Sequence, residues 1–523
     1  MAGELQTTVA GAMLEGPNPA EPSASHRAMC PYWDMVETEL GGAATMRAAG
    51  KKYLPKFPNE SDEDYEYRRA NAKYTNIFRD IVENLASKPF AKEVDLVEKT
   101  SSAQVEEFCE DIDGQGNNLN VFASTVFFQG IADAIDWILV DKPPVPENAS
   151  RAVEAELGAK PYWVHIPAKM MLAVYSAIVK GKEEIVHARI SEPDVVMDGY
   201  KERAVERVRE LNRVQLADGS YGPATWALWE KKIDPSTRKI RWDMIGSGVI
   251  AIGVIALVPF VVGRRKGRSW ELVPPMQDAA FLQVEHYQQE TNLKSIKELA
   301  AFPMLSANGV APPEDKDGKR INVPVGPKTV LFAPPGPEGR AGSWTFIEPG
   351  AQTLTFLASD LKATEQNLRE LGRQPLTAQS GNLTVVTAAV ASQKSSSAVQ
   401  AWALALKDCL ELALQYSCLW LNDSSEPEVR VHTDFAVDTE SDKAPDFLLK
   451  MREKKEISRI ALVDEAKRRD LLSADYDAEK DMELILAEEP SDPTPQDVQD
   501  AIPPTPGDNI DPATGKPKLS VVT

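Results

Sequence analysis

Lys394 stands beside Ser395, Ser396 and Ser397, a base next to three hydroxyls. Such a grouping is the raw material of an amine-activated nucleophile. Its neighbours are alanines and other apolar residues of a long helical stretch, however, so the serines read as small packing residues. Asp111, Asp113 and Gly116 open like a calcium loop, but Gln115 takes the third ligand position and Phe122 the twelfth, where a bidentate Glu is needed. The segment reads instead as a turn leading into a helix from Leu119 to about Gly130, followed by a strand, Trp137 to Val140. Five histidines (His26, His165, His187, His286, His432) are spread over 523 residues. His165 and His187 fall in strand-like text with no carboxylate or cysteine at ligand spacing, which makes them core or edge histidines. The cysteines Cys30, Cys109, Cys409 and Cys418 are too scattered for a zinc site or a disulfide framework and read as reduced, mostly buried thiols. No Gly-rich loop ending in Gly-Lys-Ser/Thr, GxSxG, HExxH or CxxC is present. The sequence therefore assigns no catalytic residue, metal ligand or cofactor, and the protein is expected not to be an enzyme.

The length calls for three or four domains. A net charge of -21 and a pI near 4.9 argue against wrapping nucleic acid through Lys/Arg contacts. They leave room for a partner that must slide past without sticking. Residues 1-29 lack a basic region followed by an apolar core and read as a flexible arm. Gly246 to Gly263 is nearly uncharged, but its Val, Ile and Gly content and Pro259 favour a pair of buried strands over a membrane span. The basic residues Arg264, Arg265, Lys266 and Arg268 after it read as a turn or subunit contact.

From about Tyr32 to Lys99 the text is helical, with Ser61 as a cap and an apolar stripe from Tyr67 through Ile77, Phe78 and Ile81 to Leu85. Residues 161 to 262 are β-rich, interrupted by the dense charges of Lys201 to Arg213, which read as a surface helix or long excursion. After Asn422 the composition turns acidic, 13 Lys/Arg against 25 Asp/Glu, a net of -12. Short helices are expected at Pro445 to Glu456, Ser458 to Asp470 and near Ala478 to Glu488, before a Pro-rich tail.

The organising stretch is Pro274 to Leu421. Two helices are predicted, Met276 to Ala301 and Gln352 to Arg373. The first carries Met276, Ala280, Val284 and Tyr287, then the polar patch QQETN, then Leu293, Ile296 and Leu299. The second carries Leu354, Leu357, Leu361, Leu368 and Leu371 on one face. Between them lie Pro- and Gly-rich residues with strand-like islands at Ile321 to Val325, Thr329 to Phe332 and Ser343 to Ile347. A polar loop, QPLTAQSGNLT, follows, and then a helix from about Thr384 to Leu421 that is apolar almost all round. Such a helix has to be buried on several sides, by contacts between subunits as well as within one.

Taken in order, these segments resemble the portal proteins of tailed bacteriophages. The resemblance is carried by YLPKFPNESDEDYEYRRANAKYTNIFRDIVENLASKPF, DIDGQGNNLNVFASTVFFQGIADAIDWILVDKPP, PYWVHIPAKMMLAVYS, LVPPMQDAAFLQVEHYQQETN and FLLKMREKKEISRIALVDEAKRRDLL, spanning roughly residues 30 to 485. It implies an α+β portal fold assembled as a ring of about twelve copies. The implied parts are a flexible arm (1-29), an α/β wing (30-272), two stem helices (273-302 and 350-373) and a small β-rich clip (303-349). A tunnel loop (374-384), the long buried helix (385-422), a helical crown (423-489) and an acidic, Pro-rich tail (490-523) complete it. On this resemblance the ring sits at one capsid vertex of the virion, after assembly in the host cytoplasm, and double-stranded DNA is packaged and ejected through it. The implied partners are other copies of the chain, DNA, the large terminase subunit, head-tail adaptors, the major capsid protein and a scaffolding protein, but no membrane. The loop residues Arg373, Gln379, Ser380, Gly381, Asn382 and Thr384 would face DNA, with a helix C-terminal cap as the other role for Arg373. Lys316, Lys319, Arg320, Lys328 and Arg340 would dock partners at the clip. Two readings compete: a membrane-associated or scaffold-like assembly protein of a virion, using Gly246 to Gly263, and a nucleic-acid-processing enzyme.

Overall fold

Short polar caps and apolar stripes set out the first helices of the computed structural model, which describes residues 16–143, 158–234, 238–301, 304–308, 343–347, 351–371 and 385–433, and scattered positions between 435 and 484. It is a mixed α+β chain that divides into two units, Met1–Val437 and Asp438–Thr523. α1 (Ala24–Leu40) starts where Ser23 accepts from the His26 backbone N–H at 3.2 Å, inside the stretch expected to be a flexible arm. α2 (Ala43–Ala49), α3 (Asp62–Ala70), α4 (Ile77–Ser87), α5 (Ala103–Glu110) and α6 (Leu119–Asp133) follow.

The expected continuous helix through Tyr67 and Ile77 is in fact two. Ser61 caps α3, Asn71 ends it, and Asn76 caps α4 by accepting from the Arg79 N–H at 3.0 Å. Tyr67 is exposed and belongs to no core stripe, whereas Ile77, Phe78, Ile81, Val82 and Leu85 are buried. The asparagine side chains compete with the helical backbone for hydrogen bonds and break the repeat.

The core of the first unit lies around a three-stranded antiparallel sheet of order β11-β2-β3. Its strands are β2 (Ile135–Asp141), β3 (Tyr162–Pro167) and β11 (Leu257–Val261), while β1 (Asp95–Leu96) is a short piece before α5. β2 is buried at every residue from Ile135 to Val140. α6 packs close on it: a Cβ on Gly130 would lie 2.4 Å from the Phe260 ring, so this position must be glycine. Tyr32 and Trp33 of α1 donate to the carbonyls of Ala132 and Asp133, at 2.7 and 3.0 Å, and hold the end of α6 where Ala134 turns left-handed.

A second antiparallel sheet has the order β10-β9-β8-β5-β4. It comprises β4 (Met171–Val179), β5 (Lys182–Ser191), β8 (Arg207–Asn212), β9 (Thr225–Ile233) and β10 (Ile240–Val249). Between β5 and β8 the chain leaves the sheet as a separate ribbon, β6 (Asp194–Asp198) with β7 (Lys201–Val205). Of the two readings of Lys201 to Arg213, a surface helix or a long excursion, the helix is absent: the stretch forms β7, in the ribbon that leaves the sheet, and β8 within it. Its charges are neutralised across the sheet: Arg207 pairs with Glu230, Arg209 with Asp141 and Glu192, and Arg213 with Glu184. Between them Val208 and Leu211 turn to the core.

The apolar run from Gly246 divides between the two sheets. Its first residues extend β10, where Gly246 and Gly248 leave room for the Trp226 indole, and its last residues form β11. Among the described residues no helix is long and apolar enough to cross a membrane. Short pairs β12 (Arg264–Arg265) with β13 (Leu272–Val273), and β14 (Met304–Asn308) with β15 (Ser343–Ile347), come next. α7 (Gln277–Ala301), α8 (Ala351–Leu371) and α9 (Val385–Leu421) are the long helices. β16 (Val429–Arg430) then pairs with β1, so the first unit continues to Val437, past the position near 423 where the charge shift predicts a boundary. In the second unit α10 (Arg459–Arg468) is capped by Ser458, which accepts from the Ala461 N–H at 3.0 Å.

Candidate functional site

The polar patch of α7 is what fastens the long helices to the rest of the unit. Gln283, fully buried, accepts from the N–H groups of Ile77 and Phe78 at 3.0 and 2.9 Å, and its amide donates to the Thr75 carbonyl at 3.1 Å. One side chain thus satisfies three backbone groups at the break between α3 and α4, groups that are costly to leave unpaired. Glu290 accepts from the Thr75 N–H at 3.0 Å and its hydroxyl at 2.8 Å, and pairs with Lys73 at 2.9 Å. Gln288, Thr291 and Lys294 donate to the carbonyls of Tyr53, Lys73 and Asn71. Gln283 together with Glu290 and Thr291 of the sequence patch QQETN is a clamp on a helix break.

α8 lies antiparallel to α7. Gln289 reaches Asp360 at 3.5 Å, and further back along α7 the charges around His286 include Glu365 and Arg369. Arg369 also pairs with Asp80 of α4 at 2.8 Å. At 1.5 Å per residue, α7 with 25 residues and α8 with 21 span about 37 and 31 Å. Their far ends lead into the paired strands β14 and β15, where Met304 lies opposite Ile347.

Burial is uneven along this hairpin. Near the body, Met276, Ala279, Ala280, Gln283, Tyr287, Thr364 and Leu368 are buried. Towards the strands, no residue of α8 from Gln352 to Ala363 is buried, and Phe356 is 67% exposed. The predicted leucine face of α8 is present, except that Leu371 is exposed. α9, about 55 Å long by the same rise for its 37 residues, buries Val399, Ala403, Leu406, Leu410, Ala413 and Leu414. Ser417 accepts from the Trp163 indole N–H at 2.8 Å, tying α9 to β3. Leu404, Leu412 and Leu419 form an uncovered line on the same helix, so the single chain does not cover its apolar surface all round.

All of the sequence-predicted loop residues, Arg373, Gln379, Ser380, Gly381, Asn382 and Thr384, lie outside the described residues. So do the clip residues Lys316, Lys319, Arg320, Lys328 and Arg340, and the islands Ile321 to Val325 and Thr329 to Phe332. Of the islands, Ser343 to Ile347 is β15, and its partner β14 had no distinct sequence signal.

A buried titratable group is found elsewhere in the unit. His165 Nε2 lies 2.5 Å from Asp136 Oδ2, a pairing across β2 and β3 that gives this strand histidine a carboxylate partner distant in sequence. Burial pushes Asp136 up to about 6, with the His165 contact pulling the other way. Burial works against the His165 proton, but the Asp136 carboxylate outweighs it and raises the imidazole above its ordinary value. Burial also pushes nearby Asp133 up to about 7, although Gln129 donates to it at 2.6 Å. These groups are enclosed by α1, α6 and the sheet, and they read as a core network. Asp111 and Asp113 spend their oxygens on their own turn, accepting from Gly116, Gln115 and Asn117. Among the described residues no cluster of three or more His, Cys, Asp or Glu could hold a metal. The four cysteines are free, with Cys30 half-buried and the others buried.

The family described as a domain of unknown function, DUF4055, matches residues 275–421, the stretch from α7 to the end of α9. No curated protein matches the sequence. Solved structures similar to this chain include the neck of a native GTA particle computed with C12 symmetry, at 12% identity and a TM-score of 0.36, covering 80% of this chain and 97% of that one. The neck of an empty GTA particle computed with C6 symmetry is similar at 12% identity and a TM-score of 0.38, covering 86% and 100%.

Proposed function

We propose that this chain is a portal protein, the subunit of a ring at one vertex of a tailed-phage capsid through which double-stranded DNA enters and leaves. The observation that carries the reading is the α7–α8 hairpin. α7 clamps it to the body, α8 buries nothing from Gln352 to Ala363, and the two helices lead there into a strand pair. A helix pair built in this way has its free half available to neighbouring copies, as a stem needs. Its order in the chain, after a mixed α/β region and before a long helix, is the order of the portal resemblance. In this reading α7 and α8 wall a channel, the segment between them meets the terminase and later the head-tail adaptors, and the loop around Gln379 to Thr384 touches DNA. A net charge of -21 per copy repels phosphates and lets DNA move without sticking. Hydrolysis belongs to the terminase, so the chain itself has no catalytic task.

The test is packaging with a shortened loop. Deleting residues between Gln379 and Thr384 should leave rings intact and impair DNA packaging or retention; unchanged packaging removes the loop assignment. Nucleotide or nucleic-acid turnover by the purified protein with Mg²⁺ would overturn the non-enzymatic reading.

A further inference from the structure

The end of α1 holds a carboxyl for which the chain supplies no partner. Glu39, the penultimate residue of the helix, is fully buried, and neither of its side-chain oxygens has a hydrogen-bond partner among the described residues. The two phenols that face it are already committed: Tyr32 donates to the Ala132 carbonyl, and Tyr74 donates to the backbone carbonyl of Glu39 itself at 3.1 Å. Burying an unpaired ion is strongly unfavourable, and a helix C-terminus is the wrong pole for a negative charge. Glu39 is therefore held as the neutral acid. Burial, with no cation among the described residues close enough to oppose it, pushes its carboxyl well above the ordinary range.

The same residue grips the break between α3 and α4. Its carbonyl accepts from the Tyr74 hydroxyl, from the Asn76 amide at 2.7 Å and from the Gly42 N–H at 3.0 Å. Asn76 is the cap of α4, and Thr75, between Tyr74 and Asn76, is bonded to Gln283 and Glu290 of α7. The break is thus held from α1 by one carbonyl and from α7 by these side chains. Tyr74 also meets the Tyr287 ring of α7 edge-on, with centres 5.6 Å apart. The titratable and charged groups around this junction are Tyr32 of α1 with Asp133 of α6 beyond it, Tyr74 of the break, Arg79 of α4 and Tyr287 of α7. Of these only Arg79 is a cation, and it lies against the turn after α1, where a Cβ on Gly42 would be 3.8 Å from its guanidinium.

We propose that Glu39 is a proton-dependent latch on the junction that anchors α7. As the neutral acid it leaves the end of α1 seated on the break, and the break seated against α7. Once ionised it must reach water or Arg79, which moves the carbonyl that Tyr74 and Asn76 depend on and opens the junction ahead of the rest of the unit. An exposed Glu titrates at about 4.3, so below that pH the latch is fully closed. As pH rises further, opening releases one proton and gains about tenfold per pH unit, until the buried carboxyl itself ionises. The latch stands whether or not copies of the chain form a ring.

Hydrogen exchange of the full-length protein tests this at the Ile77 and Phe78 amides, whose N–H groups Gln283 holds. Corrected for the intrinsic rate, their opening constants should rise about tenfold per pH unit between about pH 6 and about pH 8 in the parent, and stay level in Glu39→Gln. They should also exceed the opening constants of the β2 amides, which report opening of the whole unit. Glu39→Met, apolar and of similar size, should give the same level profile and serves where the Gln amide is not tolerated. The infrared carbonyl stretch of protonated carboxylic acids at about pH 7 should be weaker in either variant than in the parent. Equal pH slopes in parent and variants, or an unchanged infrared band, overturn the latch. Ile77 and Phe78 opening only together with β2 overturns it as well, because Glu39 then reports on the whole fold and not on the junction.

Discussion

The two halves of the α7–α8 hairpin are made of similar residues and treated very differently by the fold. Near the body, Gln283, Glu290 and Thr291 are buried and hydrogen-bonded to the break between α3 and α4, and Leu368 is buried beside them in the core. Beyond Ala363, towards β14 and β15, α8 offers Phe356 to solvent and buries nothing. A helix more than 30 Å long that is anchored over half its length gains its stability from that half. The other half is free to be shaped by assembly.

Substitutions on either side should expose this division. Gln283→Ala leaves two N–H groups and one carbonyl unpaired in a buried place, so it should cost about 4 kcal/mol by chemical denaturation of the monomer. Leu368→Ala, in the same half, should cost about 3 kcal/mol as a cavity mutation. Phe356→Ala, at an exposed position in the far half, should change monomer stability by less than about 0.5 kcal/mol while reducing the assembled fraction seen by sedimentation. If Phe356→Ala destabilises the monomer as much as Leu368→Ala does, the division is wrong.

A third comparison, with the core network at the end of α6, has a pH signature that falls between these extremes. Asp133 titrates near 7 in the fold and near 4 when unfolded. A carboxyl raised in this way stabilises the fold while protonated, fully below about pH 4, and loses that contribution as pH rises through 7. From pH 5 to 8 the loss should be about 2 to 3 kcal/mol. Asp133→Asn should therefore match the parent only below about pH 4 and melt progressively higher than the parent from pH 5 to pH 8, and parallel pH profiles would contradict the assignment.

How much of this could be read from the sequence depended on whether the signal was local. The ends of α7, α8 and α9 fall within a few residues of the predicted positions, because the leucine stripes and flanking Pro and Gly residues are local. The break at Asn71 to Asn76 was hidden because Tyr67 to Leu85 keeps a helical period straight through it. The reason for QQETN lies 200 residues away, in the carbonyls and N–H groups of that break. Lys201 to Arg213 reads as a surface helix or long excursion because its charges look solvated, and the structure shows part of it in the excursion β6–β7 and the rest in β8. Only the sheet brings Glu230, Asp141 and Glu192 to them, although Asp198-Gly199 before Lys201 is the turn pair of a hairpin. Asp136 and His165, 29 residues apart, likewise needed the β2–β3 register. The loop and clip residues stand as they did in the sequence, outside the described structure.

Electron microscopy of the purified full-length protein tests the central claim most directly. Rings with a central channel wide enough for duplex DNA are the predicted result, and a protein that stays monomeric at every concentration and salt condition would contradict it.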